Sequence, residues 1–221
     1  MKTLNPDKIL NYHHLIKLDS TNEYNSWKHC YYAFANPKKD DVFLALHLGF
    51  YLASWGMYRG STAISHKDYT IHIGAVKLIK QYYFLRCNEN YEIVKSDIPE
   101  LLNLYNALRQ HYYSFDYLIK GALTKRKPTD TLISKIVIGT LGCSPAFDRY
   151  FNDGAKSKGF NFIRINQKCL EGLFIFKENY KVDLIKLQNK LLKIDQFHYP
   201  IFKLIDNYFW HEGYALDNNK N

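Results

Sequence analysis

The chain has 221 residues, enough for one domain or two small lobes around a shared core, and 47% of them are hydrophobic. Thirty basic residues against 21 acidic ones give a formal net charge of +9, which favours a polyanionic partner, most often nucleic acid. No apolar run is long enough to predict a membrane-spanning helix or a secretory signal.

The placement of the prolines predicts an all-α fold. All six stand just before, or in the first turn of, a segment with helical spacing. We expect a single domain over residues 1–221, a compact bundle of about eight to ten helices with a helix-hairpin-helix-like element. The predicted helices cover residues 6–18, 23–35, 41–58, 73–84, 167–180, 182–192 and 200–211, with others beginning near 97, 129 and 145. Segments 71–76 and 160–165 alternate briefly but have no partner for a sheet, and residues 120–127, 152–158 and 217–221 are predicted to be a basic linker, a loop and a frayed tail.

The third predicted helix is the most apolar, and it carries an aromatic stripe. His47, Tyr51 and Trp55 recur at intervals of four and therefore share one side of it. Such a stripe is more often core packing, but it could also stack a base on Trp55 or Tyr51 and read its edge with His47. Arg59 follows the helix and must pair, reach water or hold an anion, while Ser61 suits a pocket wall.

Residues 141–151 form the segment around which the chain is predicted to be organised. An apolar helix runs into a Gly-Cys-Ser-Pro turn and a second helix follows. Gly142 permits a positive φ, Ser144 is a predicted cap of the second helix, and Pro145 fits its first turn. A glycine-bearing turn of this kind can hold a phosphate on its backbone N–H groups, which makes Gly142 and Ser144 candidate phosphate ligands.

The charged residues beside this turn are candidate catalytic groups. Asp148 lies near a helix N-terminus, where the dipole or a basic neighbour would stabilise it; it could equally stabilise a developing sugar cation or activate a water. Lys135, in the preceding apolar helix, could extend to solvent, bind a phosphate or act as an amine nucleophile. Arg149 is a candidate phosphate ligand and Tyr150 a candidate base contact.

Further basic residues surround the turn in the sequence. They are solvated surface charges or phosphate contacts, and the sequence leaves both readings open. The candidates are Lys125, Arg126, Lys127, Lys156 and Lys158.

Several familiar chemistries are excluded by missing motifs. The four cysteines are scattered without a Cys-x-x-Cys pair, which argues against a disulfide framework, a zinc knuckle or an iron–sulfur cluster and favours reduced thiols in the cytosol. A P-loop, His-Glu-x-x-His, Gly-x-Ser-x-Gly and the zinc deaminase pattern are also missing. We therefore expect neither a metal nor a cofactor.

Two segments, LASWGMYRGS and DTLISKIVIGTLGCSPAFDRYF, together resemble a known all-helical family. It is that of the alpha-glutamyl/putrescinyl thymine pyrophosphorylases, related to the helical domain of hydroxymethyluracil DNA kinases. A bacterial antiphage glycosylase that removes glucosylated hydroxymethylcytosine is similar. Such proteins are thought to act on hypermodified phage bases and to resemble helix-hairpin-helix DNA glycosylases.

The resemblance implies a cytosolic, monofunctional DNA glycosylase that acts on double-stranded DNA carrying modified bases, without a membrane or an obligate protein partner. A nucleotide would be extruded into a cleft between the helix at 40–60 and the hairpin at 129–151. The usual hairpin reads Leu-Pro-Gly-Val-Gly with its aspartate well downstream, whereas Asp148 follows the turn here almost at once, so Asp130 and Asp153 are rival catalytic carboxylates. Two other functions stay open: a pyrophosphorylase-like transferase that modifies hydroxymethylpyrimidines, and a non-enzymatic nucleic-acid-binding module.

Overall fold

The protein is an all-α bundle, as the prolines predict. The computed structural model describes residues 4, 6–119 and 121–218, and 64% of these residues are helical. The ten α-helices of the described residues are α1 (Asp7–Leu18), α2 (Asn25–Ala33), α3 (Asp41–Ser54), α4 (Ile73–Gln81), α5 (Ile98–Tyr113), α6 (Asp130–Thr140), α7 (Arg149–Ser157), α8 (Gln167–Asn179), α9 (Lys181–Asp195) and α10 (Ile201–Asn218). Two short strands, β1 (Asp116–Ile119) and β2 (Ala122–Lys125), pair in an antiparallel hairpin between α5 and α6.

Three local predictions differ from the structure. The expected basic linker at 120–127 contains β2 of the hairpin; Lys120 lies outside the described residues. The expected loop at 152–158 is helix α7, which α10 supports along its length. Helix α10 also continues into the predicted frayed tail as far as Asn218, and residues 219–221 lie outside the description.

Helix α6 is the centre of the bundle. Every residue from 132 to 140 is buried, and α2, α3 and α5 pack around it. Gly139 lets α3 approach closely, because a Cβ there would lie 2.4 Å from the Tyr51 ring. The C-terminal half of α3 therefore packs closely against α6, with the Tyr51 ring between them.

Helices α7 and α10 cross at a contact that only glycine permits. A Cβ on Gly154 would lie 1.9 Å from the carbonyl oxygen of Phe209, and one on Gly213 would lie 1.9 Å from that of Tyr150. The two backbones thus touch directly at both points. This crossing fixes α10 beside the N-terminus of α7, where Asp148 lies.

Among the described residues, none of the helices combines the length and apolarity needed to cross a bilayer.

Candidate functional site

A buried ion pair joins the two helices that flank the turn. The Lys135 Nζ of α6 donates to Asp148 Oδ2 at 2.9 Å, and the two side chains are only 7% and 14% exposed. The other Asp148 oxygen, Oδ1, accepts from the backbone N–H of Phe151 at 3.0 Å and so caps α7. Asp148, and not Ser144 as predicted, is the N-cap of this helix.

The aromatic end of α3 lies over this ion pair. The Lys135 Nζ is 4.6 Å from the centroid of the Trp55 ring, a cation–π distance. Tyr51, one turn earlier, is buried, and burial raises its pKa well above the ordinary tyrosine value, with the nearby Asp206 and Asp148 carboxylates adding to the shift. The structure therefore brings Tyr51, Trp55, Lys135 and Asp148 together, although they come from distant parts of the sequence.

These side chains enclose a small hollow of about 20 Å³. A volume of that size holds one water molecule when polar groups are available to bind it. The residues that line the hollow are Tyr12, Tyr24, Tyr51, Trp55, Lys135, Ala146, Asp148, Lys203, Asp206, Asn207, Trp210 and His211.

A larger groove of about 550 Å³ adjoins the hollow. The two share five wall residues: Tyr12, Tyr24, Trp55, Lys203 and Asn207. The groove also contains Lys17, Lys28 and Lys193, so that its walls combine aromatic rings with a marked excess of positive charge. A cavity of this size and composition fits a nucleobase with its sugar or a substituent.

A second ion pair supports the first. The Lys203 Nζ donates to Asp206 Oδ2 at 2.8 Å, and the Asp206 side chain is 7% exposed. Asp206 Oδ1 accepts from the backbone N–H of Ala146 at 2.9 Å, two residues before Asp148. Helix α10 thereby fixes the end of the turn that carries Asp148.

The outer groove contains a hydrogen-bonded acid–base cluster. Asp195 Oδ2 lies 2.8 Å from His13 Nδ1, 2.6 Å from the Tyr199 hydroxyl and 3.5 Å from the Lys28 Nζ. Burial by itself would raise the pKa of Asp195, but the hydrogen bonds from His13 and Tyr199 outweigh it and lower the pKa to about 2. Asp195 is therefore a fixed negative charge among the groove lysines.

Two buried nitrogens in these walls have no hydrogen-bond partner among the described residues. They are the indole Nε1 of Trp55 and the imidazole Nε2 of His13. Leaving a buried polar group unpaired costs about 1–3 kcal/mol, so such groups are uncommon in a purely structural core. These two nitrogens are therefore available to a polar ligand in the hollow or the groove.

The other residues predicted to contact a base lie outside this site. His47 packs on the Phe43 ring, with centroids 4.5 Å apart, and lines neither cavity. Arg59 and Ser61 are exposed in the turn after α3. Tyr150 lines neither cavity. Its ring packs against Trp210, which lines the hollow, and its hydroxyl donates to Asp217. Arg59 and Ser61 lie outside the site because α3 ends at Ser54, before them. His47 lies outside because it faces Phe43, and Tyr150 because its hydroxyl is directed to Asp217.

The predicted phosphate site on the turn is also wrong. Residues 141–147 are all buried, and their N–H groups are used internally: those of Gly142 and Phe147 donate to the Val137 carbonyl and the Ser134 hydroxyl. The Ser144 hydroxyl accepts from Tyr105 at 2.6 Å and is 1% exposed. A phosphate has no access to these groups.

The predicted basic contacts are spread over two other surfaces. Lys125, Arg126 and Lys127 lie at the base of the β-hairpin, where Lys125 pairs with Asp116 and Arg126 donates to the Thr62 carbonyl. Arg149 and Lys156 lie on α7 and Lys158 is its C-cap; Arg149 pairs with Asp217 and Lys158 with Glu212. None of the six lines the hollow or the groove.

The rival carboxylates face elsewhere. Asp130 binds the Arg109 guanidinium at 2.9 Å and accepts from the Ile165 N–H at 3.0 Å. Asp153 lies on the exposed side of α7, where it pairs with Arg149 one turn earlier. Asp148 is therefore the one of the three that borders the hollow. Within the described part of the chain, no group of three or more His, Cys, Asp or Glu side chains is arranged to hold a metal ion.

Sequence reasoning missed the residues that α10 contributes. Lys203, Asp206, Asn207 and Trp210 recur at helical spacing and form a polar stripe beside the apolar one. The usable signal was the spacing itself, because residues at i, i+3, i+4 and i+7 share one side of a helix. Tyr12 and Tyr24, from the first two helices, had no comparable signal.

Comparisons with protein-family models, curated proteins and solved structures found no match.

Proposed function

We propose that this protein is a DNA glycosylase that removes a modified pyrimidine and leaves an abasic site. The observation that supports this function best is the position of Asp148, on a hollow with room for one water and next to an aromatic, basic groove. On this proposal the protein acts in the bacterial cytosol, where abasic sites would block the replication of phage DNA.

The reaction requires a carboxylate and a water beside the sugar. The bond between C1′ and the base nitrogen breaks with its electron pair moving to the base, and the sugar becomes oxocarbenium-like. The Asp148 carboxylate stabilises this cation; the water oxygen adds to C1′ while Asp148 accepts its proton, and the departing base is protonated by solvent. Lys135 fixes the carboxylate through their 2.9 Å contact and has no covalent role.

The groove walls suit an extruded nucleotide. Stacking on aromatic faces such as Tyr24 and Trp55 accepts a pyrimidine with a large substituent, because every base has a π face. The Trp55 Nε1, which has no partner among the described residues, can donate to a base carbonyl or a substituent oxygen. Lys17, Lys28 and Lys193 take the phosphate-binding role first predicted for the turn.

A base-modifying transferase is the second candidate. The same lysines would hold a departing pyrophosphate, and Asp148 would orient an incoming amine rather than a water. Mass spectrometry of the treated nucleosides separates the two reactions, because a transferase leaves an adduct and a glycosylase leaves a lost base.

The decisive experiment incubates the purified protein with duplex DNA from phages of different base chemistry and counts abasic sites with an aldehyde-reactive probe. We expect abasic sites in at least one hypermodified DNA and none with the Lys135→Met/Asp148→Asn double variant, which leaves no unpaired buried charge. If neither the wild type nor the double variant produces abasic sites, although both bind DNA, the result would favour the non-enzymatic binding module instead.

A further inference from the structure

His211 lines the same hollow as Asp148, and its ring is oriented by packing. The centroids of the Tyr12 and Trp210 rings lie 4.4 and 5.3 Å from that of His211, and both contacts are edge-to-face. Neither ring nitrogen of His211 has a hydrogen-bond partner among the described residues. The two nitrogens are therefore available to a ligand in the hollow.

The His211 ring is uncharged at neutral pH. Burial first, and then repulsion from His13, Lys203 and Lys8, lowers its pKa to about 4. A neutral imidazole has one nitrogen that donates and one that accepts. His211 can therefore accept an O–H group in the hollow, as the Asp148 carboxylate can, without placing a further positive charge there.

The Tyr12 hydroxyl supplies a donor. Its oxygen is buried and has no hydrogen-bond partner among the described residues, and Tyr12 also lines the hollow. Burial, followed by the neighbouring Tyr24 hydroxyl, raises the pKa of Tyr12 far above the ordinary tyrosine value, so the proton stays on the oxygen. Buried hydroxyls without a partner are uncommon, so we expect an acceptor beside it.

The size and polarity of the hollow select one water as its ligand. A volume of about 20 Å³ has room for a water and not for a sugar or a phosphate. The Lys135 and Lys203 ammonium groups in the walls disfavour a metal cation. A buried water makes about three hydrogen bonds, and Tyr12, Asp148 and His211 provide that number. One lone pair of the water oxygen is then left free.

We propose that Tyr12 and His211 position the attacking water against Asp148. The Tyr12 hydroxyl donates to the water oxygen, while Asp148 and His211 accept its two O–H groups. This role rests on the proposed glycosylase function, in which the free lone pair of the water adds to C1′ and Asp148 takes the proton. Tyr12 and His211 are positioning residues, and the Trp55 N–H remains for the base.

Kinetics with the protein in excess over DNA test this role, on phage DNA in which the wild type forms abasic sites. Tyr12→Phe removes only a hydroxyl, His211→Phe removes the acceptor but keeps a planar ring, and His211→Gln restores an acceptor. We expect the rate of abasic-site formation to fall about tenfold in Tyr12→Phe. It should fall about a hundredfold in His211→Phe and recover to within about tenfold of the wild type in His211→Gln.

The affinity for a fluorescent duplex, measured by anisotropy, should not change in these variants. None of them alters a groove lysine or the Trp55 N–H, so only the rate should respond. Matched controls are Tyr113→Phe and His14→Phe, because both residues are exposed and line neither cavity. Both controls should cleave at the wild-type rate.

A high-resolution crystal structure tests the water itself. We expect one water within about 3.2 Å of the Tyr12 hydroxyl, a His211 ring nitrogen and Asp148 Oδ2. The role is refuted if the hollow holds no water, if the water is bound by other hydroxyls in its place, or if His211→Phe cleaves as fast as the wild type. A wild type that holds this water but forms no abasic sites in any phage DNA refutes the glycosylase and retains the water site.

Discussion

The Lys135 ammonium lies 2.9 Å from the Asp148 carboxylate, and both groups are largely withdrawn from water. A pair of this kind is marginal in net energy, because desolvation offsets the attraction, yet removing one partner leaves a buried charge uncompensated. A stable helix cap alone would not require a buried lysine. The arrangement is better explained by the need to hold an ionised carboxylate at the hollow.

Asp148→Asn should separate the helix-capping role of Asp148 from the role of its charge. Asparagine caps a helix about as well as aspartate, so α7 keeps its N-cap, but Lys135 loses its counter-ion. We expect the free energy of unfolding to fall by roughly 2–4 kcal/mol in urea titrations. Abasic-site formation should be lost entirely.

Lys135→Met in both backgrounds completes a double-mutant cycle. The double variant should be more stable than the sum of the single changes predicts, because it has no unpaired buried charge. Additive losses would mean that the two side chains do not interact in solution.

The groove lysines should control the salt dependence of DNA binding. Lys28 and Lys193 line the groove, whereas Lys190 is exposed on α9 outside it. Changing Lys28 or Lys193 to glutamine should reduce the slope of log affinity against log salt by about one. Lys190→Gln should leave the slope as it is; equal effects of all three would mean that the groove is not the nucleic-acid site.

Local rules were enough to predict most of the helices and part of the site. The apolar spacing of α3 and α6 and the charge at the start of α3 are readable from neighbours in the sequence, whereas local rules place the cap of α7 at Ser144 rather than at Asp148. Tyr51 and Trp55 share one side of α3 with His47, but the sequence does not show which residues on that side line the hollow. His47 lies outside because it faces Phe43 and Lys39 at the other end of α3.

The remaining features depend on tertiary contacts. Gly154 weakens the helical signal of α7. A glycine is needed there because α10, which is distant in the sequence, approaches closely. The hairpin strands have four residues each, too few for a periodic pattern. The burial of the turn at Gly142 likewise depends on Pro200 and Tyr31 packing over it.

Gly154→Ala should destabilise the protein strongly. The added methyl group would lie 1.9 Å from the Phe209 carbonyl oxygen, so α7 and α10 must separate. We expect a loss of roughly 3 kcal/mol or more in unfolding free energy, at the upper end of overpacking effects. Because α10 supports the Asp148 turn through Asp206, abasic-site formation should fall as well.

Gly172→Ala is the matched control for this change. A Cβ there meets only the Phe162 ring edge at 3.1 Å, a side chain that can move. The gain in helix propensity, about 1 kcal/mol, should offset that contact. A control as unstable as Gly154→Ala would show that alanine is poorly tolerated in these helices generally.

Acid should destabilise the fold through histidines that are neutral when buried. Burial, followed by repulsion from His111, lowers the pKa of His72 to about 3, and its ring nitrogens hydrogen-bond to the hydroxyls of Tyr58 and Tyr112 at 2.6 and 2.7 Å. Burial and the nearby positive groups lower the pKa of His211 to about 4. The unfolded chain therefore binds more protons below about pH 6.5, so stability is complete above that value and is lost as the pH falls toward the folded pKa values.

The expected size of this effect is roughly 2 kcal/mol for each of these two histidines between about pH 7 and pH 5. Urea titrations at the two pH values measure it. In His72→Gln the difference in unfolding free energy between the two pH values should be smaller by roughly 2 kcal/mol, because glutamine does not titrate. Asp195, with a pKa of about 2, contributes only at lower pH and so does not obscure the comparison. An unchanged difference in His72→Gln would show that His72 is not held neutral in the fold.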